Sequence, residues 1–162
     1  MKATKLIPAL FAVAVVLFVL KSFLDHSVPK YTFPDWEHGA SGYRVALKEA
    51  MEGGRPLILY FHTSWCGWCE KLDRNYLSTE EMVRFLRDIP KVEINPDKGE
   101  AEKAIFNKFG LTGYPSFLVL NFNLSPDPVQ LSPFLNTGTL SVKEFLDKIR
   151  EVTAVGSKGL AH

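Results

Sequence analysis

The sequence is poor in cysteine, since Cys66 and Cys69 are the only two in 162 residues. Two cysteines are too few for a miniprotein stapled by several disulfides or for a four-cysteine zinc site, so both classes are excluded. The chain also lacks an excess of one charge, with 19 Lys and Arg against 18 Asp and Glu. Without a basic excess, a nucleic-acid-binding surface is excluded as the main role of the chain. The remaining composition, 46% hydrophobic and 23% charged, is that of a folded globular protein of single-domain length.

A long apolar run lies near the N-terminus, where residues 6–20 read LIPALFAVAVVLFVL between Lys2, Lys5 and Lys21. Extended to residue 24 as a helix, this segment would be about 28 Å long, close to the ~30 Å hydrocarbon core of a bilayer. The preceding lysines predict that the N-terminus stays in the cytoplasm and that the rest of the chain lies outside it. We therefore expect residues 1–24 to be a signal-anchor helix of the inner membrane. A cleaved signal peptide, which would release the domain into the periplasm, is the alternative.

Because either N-terminal segment would export the chain, we expect the remaining residues to form one soluble domain in an oxidising compartment. Without its three N-terminal lysines the chain has 16 Lys and Arg against 18 Asp and Glu, a mildly acidic balance. Residues 25–34, with two prolines and mixed charges, are typical of a linker. We assign residues 35–153 to the folded domain and residues 154–162 to a flexible tail.

The sequence of the folded domain predicts strands that alternate with helices. Helical spacing of apolar residues indicates helices, and two capping boxes, Ser78 with Glu81 and Ser141 with Glu144, indicate the starts of two more. The predicted helices cover residues 41–52, 66–76, 78–87, 100–109 and 141–152. Short apolar runs predict strands at residues 56–61, 91–95, 116–122 and 130–135. This alternation predicts an α/β domain with a mixed central sheet flanked by helices.

Both cysteines lie in the stretch WCGWC, between a predicted buried strand and a predicted helix. Residues three apart share a helix face, so the two sulfurs can meet across one turn. At a helix start, unpaired N–H groups stabilise a thiolate and lower the pKa of a cysteine from about 8.5 to roughly 3.5–7.5. Cys66 is therefore the predicted nucleophile, and Cys69, one turn further in, the predicted resolving thiol. A structural disulfide, or a metal site completed by His62, is the alternative.

Pro115 stands immediately before the apolar run at residues 116–122. A proline at this place is a natural site for a cis peptide bond. The backbone of Tyr114 before it would then be free to pair with an extended substrate peptide. A plain turn proline is the alternative interpretation.

The stretch LILYFHTSWCGWCEKL, followed about 45 residues later by GLTGYPSFLVL, resembles the thioredoxin fold family over roughly residues 40–152. The resemblance implies a thioredoxin-like fold in which a cis Pro115 opposes the dithiol. It places Trp65 beside the reactive sulfur, although a packing role for this side chain is also expected. Gly67 and Trp68 separate the cysteines, and Trp68 is expected to be an exposed apolar platform for substrate.

The chain departs from the family at the buried acid that thioredoxins carry six residues before the first cysteine, because Tyr60 stands there. A phenol with a pKa of about 10 cannot accept a proton from the resolving thiol at neutral pH. Asp73, four residues after Cys69 on the same helix face, and Glu93 on the following strand are the candidate replacements. Lys91 matches a lysine that is common in thioredoxins. Each of these charges could instead be a solvated surface group.

The whole pattern is similar to exported thioredoxin-like domains, such as the C-terminal domain of bacterial transmembrane reductant-transfer proteins. The resemblance implies a thiol–disulfide oxidoreductase that needs no cofactor and exchanges with disulfide-containing protein substrates and with an upstream electron donor or acceptor. We favour a reductase because the usual buried acid is missing; oxidase and isomerase activity stay open. A membrane-tethered metal-binding or copper-delivery module using Cys66, Cys69 and His62 is the alternative function.

Overall fold

The computed structural model describes residues 13–19, 33–123, 125 and 127–154. The chain divides into two compact units, Met1–Lys30 and Tyr31–His162. In the first unit residues 13–19 are helical. Within the described ranges no helix is both long enough and apolar enough to cross a membrane. The rest of the predicted anchor, most of the predicted linker and the tail from residue 155 lie outside the described residues, so these assignments stay predictions.

A five-stranded mixed sheet lies at the centre of the second unit, with the strand order β1–β3–β2–β4–β5. Its strands are β1 (Glu37–His38), β2 (Leu57–Phe61), β3 (Lys91–Ile94), β4 (Ser116–Leu120) and β5 (Val129–Leu131). β3 pairs in parallel with β1 and β2, whereas β4 is antiparallel to both β2 and β5. Every residue of β2 and β4 is buried. The predicted mixed α/β sheet is confirmed.

Five α-helices accompany the sheet: α1 (Gly39–Gly53), α2 (Gly67–Leu72), α3 (Glu80–Leu86), α4 (Glu100–Lys108) and α5 (Val142–Ala154). The second of these continues directly into a π-helical turn, Asp73–Leu77, and a 3-10 turn, Pro96–Lys98, precedes α4. α1 ends where Gly54 adopts a left-handed conformation with φ 58° and donates its N–H to the carbonyls of Ala50 and Met51. The five predicted helices are therefore all present, with small changes at their ends.

The apolar residues form two clusters, and β2 contributes to both because successive side chains of a strand point to opposite faces. One cluster contains Leu57, Leu59 and Phe61 with residues of β3, α1 and α4. The other contains Ile58 and Tyr60 and joins them to Cys69 and to side chains of α3 and α5. Tyr60 and the second cysteine are consequently buried in the same cluster, which also includes Phe33 and Trp36.

The predicted capping box at Ser78 and Glu81 is wrong. The N-cap of α3 is Thr79, whose Oγ1 accepts a hydrogen bond from the backbone N–H of Met82. The hydroxyl of Ser78 instead donates to the carbonyl of Asp73 at 2.7 Å, which closes the π-helical turn. The preceding π turn therefore occupies Ser78 and moves the start of α3 one residue along the chain. The other capping box, at the start of α5, is confirmed.

The predicted strand at residues 130–135 is also wrong as a single element. β5 ends at Leu131, and Phe134–Leu135 (β6) pairs with Gly138–Thr139 (β7) in a separate two-stranded hairpin. Pro133 lies between the two strands and has no N–H to donate, so the pairing with β4 stops before it. The hairpin brings Phe134 against the cluster that contains Cys69.

Candidate active site

The two cysteines lie where β2 leads into α2. Cys66 is the N-cap of α2 and is disulfide-bonded to Cys69, with their Cα atoms 5.2 Å apart. The backbone N–H of Cys69 donates to the Cys66 sulfur at 3.1 Å. Cys66 is partly exposed, whereas Cys69 is 2% exposed. A Cβ added to Gly67 would meet no atom within 4 Å, so the backbone between the cysteines borders open space. Cys66 is thus partly accessible and Cys69 is shielded, while their roles as nucleophile and resolving thiol stay predictions.

The proline loop lies beside this pair. The Tyr114–Pro115 peptide bond is cis, as predicted. Ser116, the next residue, pairs with Phe61, the last residue of β2 before the cysteine loop. Tyr114 and Cys66 both pack against the same core cluster. The cis proline and the accessible sulfur are therefore held by the same end of the central sheet.

Trp65 is exposed rather than packed into the core, with 70% of its surface accessible. Its indole N–H donates to Asp97 Oδ2 at 2.8 Å, and its ring meets the ring of Tyr114 edge to face at 5.9 Å. These two contacts connect the cysteine loop to the proline loop and to the turn before α4. Asp97 was not singled out from the sequence, and no local motif distinguishes it, because the turn Pro96–Lys98 reaches the site only through the fold.

Trp68 is 53% exposed, and its role as an apolar platform for substrate stays a prediction. Its ring lies 4.9 Å from the ring of Phe134, and Lys71 Nζ lies 4.1 Å from its centroid. Phe134 also contacts the ring of Tyr76. The sequence does not single out Phe134, because the pattern at residues 130–135 predicts one strand and not the β6–β7 hairpin that carries this ring.

Tyr60 and Asp73 form a hydrogen-bonded pair, and Tyr60 lies in the core cluster that contains Cys69. The Tyr60 hydroxyl, in a fully buried side chain, donates to Asp73 Oδ1 at 2.7 Å. Burial raises the pKa of Asp73 to about 7, against the opposing effect of this hydrogen bond. Burial, followed by the charge of Asp73, raises the pKa of Tyr60 well above its usual value. Tyr60 is therefore a neutral donor, and Asp73 is a part-buried acid that titrates near neutral pH.

Glu93 lies between two histidines. Its Oε1 is 2.8 Å from His38 Nδ1, and its Oε2 is 4.0 Å from His62 Nε2. The His62 ring stacks on Tyr60 at 5.1 Å, and burial lowers the pKa of His62, which favours its neutral form. Glu93 therefore belongs to a cluster that adjoins the Tyr60–Asp73 pair.

Lys91 is buried at the first position of β3. Its Nζ donates to the carbonyls of Leu86 and Arg87 and lies 3.1 Å from Asp35 Oδ2.

Among the residues that the structure describes, no three His, Cys, Asp or Glu side chains are grouped so as to hold a metal ion. The ligand set expected for a metal module, both cysteines with His62, is thus not assembled in the described part of the chain.

Residues 35–121 match a family model described as thioredoxin-like. Protein disulfide-isomerase erp38 of Neurospora crassa is 30% identical over 66 residues, which cover 41% of this chain and 17% of that protein. Thiol:disulfide interchange protein DsbD 1 of Pseudomonas aeruginosa is 28% identical over 102 residues, 57% of this chain and 16% of that protein. The chain therefore spans about a sixth of these two curated relatives.

A solved structure supports the fold over most of the chain. The solution structure of a thioredoxin from Thermus thermophilus superimposes with a TM-score of 0.57 and covers 79% of this chain and 97% of that one. The two chains are 23% identical. At this identity the likeness concerns the arrangement of strands and helices.

Proposed function

The chain belongs to the thioredoxin-like family, and from this premise we propose that it is a thiol–disulfide oxidoreductase that acts through Cys66 and Cys69. The observation that carries the proposal is the disulfide at the end of β2, with one sulfur accessible and the other shielded. An inert structural crosslink has no need of this asymmetry. Stepwise exchange uses one thiol that a substrate can reach and a second, neighbouring thiol that resolves the mixed disulfide.

The reaction is dithiol–disulfide exchange. The Cys66 thiolate attacks a substrate disulfide, forms a mixed disulfide and releases one substrate thiolate. The N–H of Cys69, 3.1 Å from the Cys66 sulfur, favours the thiolate in this first step. Cys69 then loses its proton to Asp73 and attacks the Cys66 sulfur, which releases the second substrate thiolate. Two electrons pass from the dithiol to the substrate, and Cys66 and Cys69 end as a disulfide.

Protein disulfides are the proposed substrates. The aromatic side chains Trp65 and Trp68 lie exposed on both sides of Cys66 in the sequence, and Tyr114 contacts the first of them. Such a surface favours a polypeptide over a small polar disulfide. The backbone before Pro115 would pair with the extended chain of the substrate, in the manner of strand addition.

We place the domain outside the cytoplasm and propose that it reduces its partners. The apolar run at residues 6–20 with preceding Lys2 and Lys5 supports export, either with a retained inner-membrane anchor or after cleavage. Similarity to DsbD 1 over 57% of the chain agrees with an interchange role. An upstream donor must then return the Cys66–Cys69 disulfide to the dithiol after each turnover.

Trapping the mixed disulfide tests the function. In the full-length chain, Cys69→Ala removes the resolving thiol, so partners should stay attached to Cys66 through a disulfide. Mass spectrometry of adducts that dithiothreitol releases would identify them. Cys66→Ala is the matched control, because it keeps one cysteine but removes the accessible one, and it should trap nothing. Equal adducts in both variants, or none in Cys69→Ala, would refute exchange through Cys66.

Two further measurements decide direction and location. If the chain is a reductase, the trapped partners should accumulate in their oxidised form in cells that lack it. Accumulation of reduced partners would make it an oxidase. Fractionation of cells, with the mass of the mature chain, distinguishes a retained anchor from a cleaved signal, and recovery of the domain in the cytoplasm would contradict export.

A further inference from the structure

Tyr60 connects β2 to the turn that follows α2. Its side chain is fully buried in the cluster that contains Cys69, and its hydroxyl leaves the strand to reach Asp73 Oδ1 at 2.7 Å. Asp73 follows Cys69 by four residues, and its backbone N–H donates to the Cys69 carbonyl. Side chains four apart on a helix are neighbours. The acid is thus held between a buried phenol and the turn that carries the resolving cysteine.

The backbone of Asp73 is fixed as firmly as its side chain. Its carbonyl accepts two hydrogen bonds from Ser78, from the backbone N–H at 2.9 Å and from the hydroxyl at 2.7 Å. Asp73 begins the π-helical turn that interrupts the helix after Leu72. Short π-helical segments inside helices are rare and are frequent at functional sites. An ordinary surface aspartate would have none of these constraints.

We propose that Tyr60 is a positioning residue that holds the Asp73 carboxylate so that it receives the proton of Cys69. The inference rests on the proposed thiol–disulfide exchange and assigns how its second step is controlled. Tyr60 is a donor and takes no proton itself. By occupying Oδ1 it leaves Oδ2 for the thiol: the S–H bond of Cys69 breaks, an O–H bond forms on Asp73, and the sulfur lone pair attacks Cys66. The bond between Cys66 and the substrate sulfur breaks, and the substrate departs as a thiolate.

The groups around Asp73 determine the direction of each effect. Tyr60 from β2 is the neutral donor, whereas Glu93 from β3 and Glu70 from α2 are acidic groups that act on it. Burial and these two carboxylates raise the pKa of Asp73, and the Tyr60 hydrogen bond lowers it, with the result at about 7. Removing the hydroxyl takes away a hydrogen bond that stabilises the ionised form of Asp73. Asp73 would then ionise only at a higher pH, and the resolving step would shift with it.

The test follows the resolving step directly. The reduced full-length protein is mixed in stopped flow with a chromogenic aromatic disulfide that releases one coloured thiol when Cys66 attacks and a second when Cys69 resolves. The rate of the second release is measured as a function of pH. In the wild type we expect this rate to rise with a midpoint near the pKa of Asp73.

Tyr60→Phe should move this midpoint upward by about one pH unit or more, since a hydrogen bond to a charged group is worth at least that much. On the acidic side of the midpoint the second release should slow by about tenfold, while on the alkaline plateau the rates should coincide. Tyr76→Phe is the matched control, because it removes another buried phenol, whose hydroxyl donates to the Leu140 carbonyl. An unchanged midpoint in Tyr60→Phe, or an equal shift in both variants, would overturn the proposal.

A second variant covers the case in which Tyr60→Phe does not fold. A ring-fluorinated tyrosine placed at position 60 keeps the shape of the side chain but is a stronger hydrogen-bond donor, so it should move the midpoint downward. If the midpoint does not move downward in this variant, the proposal is also overturned. Failure of the proposed function is read separately, by the absence of trapped partners in Cys69→Ala, and does not depend on this midpoint.

Discussion

Asp73→Asn should stabilise the oxidised protein at alkaline pH and leave it almost unchanged at acidic pH. The pKa of Asp73 rises from 3.8 to about 7 in the folded chain, chiefly because the carboxyl is buried. Below the lower value both the folded and unfolded chains hold the proton, so the group costs nothing. Between the two values the unfolded chain releases its proton while the folded chain keeps it, so stability falls as pH rises. Above about pH 7 the full cost is present.

The size of the effect follows from the shift. A difference of about three pKa units corresponds to about 4 kcal/mol at 1.36 kcal/mol for each unit. Water reaches part of the carboxyl and relieves part of this cost, so we expect Asp73→Asn to gain about 2–4 kcal/mol at alkaline pH. The asparagine retains an oxygen that can accept from the Tyr60 hydroxyl, so the geometry of the pair is preserved.

Urea unfolding of the oxidised wild type and variant at about pH 4 and about pH 8 measures the prediction. Asp147→Asn is the control, since hydrogen bonds from Lys143 and Arg150 lower the pKa of that exposed carboxyl. It should give no stabilisation at the alkaline pH. A gain for Asp73→Asn that is equal at both pH values, or no gain at the higher one, would refute the reasoning that burial raises the cost of the charge.

Three further predictions concern stability and are measured by urea unfolding. Thr63→Val should be neutral or should stabilise by about 1–2 kcal/mol, because the buried Thr63 hydroxyl has no hydrogen-bond partner among the described residues; a clear loss would indicate a partner such as bound water. Lys91→Met should destabilise by about 2–4 kcal/mol by leaving two carbonyls and a carboxylate without their buried ammonium, whereas Lys48→Met at an exposed site should change little; equal losses would contradict this. Phe134→Ala should cost about 1–3 kcal/mol by removing the ring that contacts Trp68, and an unchanged midpoint would contradict a stabilising role of this ring.

Local features of the chain were predictable where neighbours in the sequence supply the interaction. The strand at 57–61 and the capping box at Ser141 are of this kind, since alternation, apolar runs and caps act within a few residues. Ser78 is the exception, because its hydroxyl has a competing partner. Its sequence satisfies the pattern of a capping box, but the π turn before it offers its hydroxyl the Asp73 carbonyl instead.

At the active site, some features follow from the local sequence and others from the tertiary fold. Residue spacing alone was enough to predict that Cys66 and Cys69 can meet at a strand-to-helix junction. The cis form of Pro115 was predicted only together with the family resemblance, since the local sequence also allowed a plain turn proline. The contact between Tyr60 and Asp73 depends on the tertiary fold, because it joins a strand to a turn 13 residues later. Burial then raises the pKa of that acid, and burial is a property of the packed core that no segment of sequence has alone.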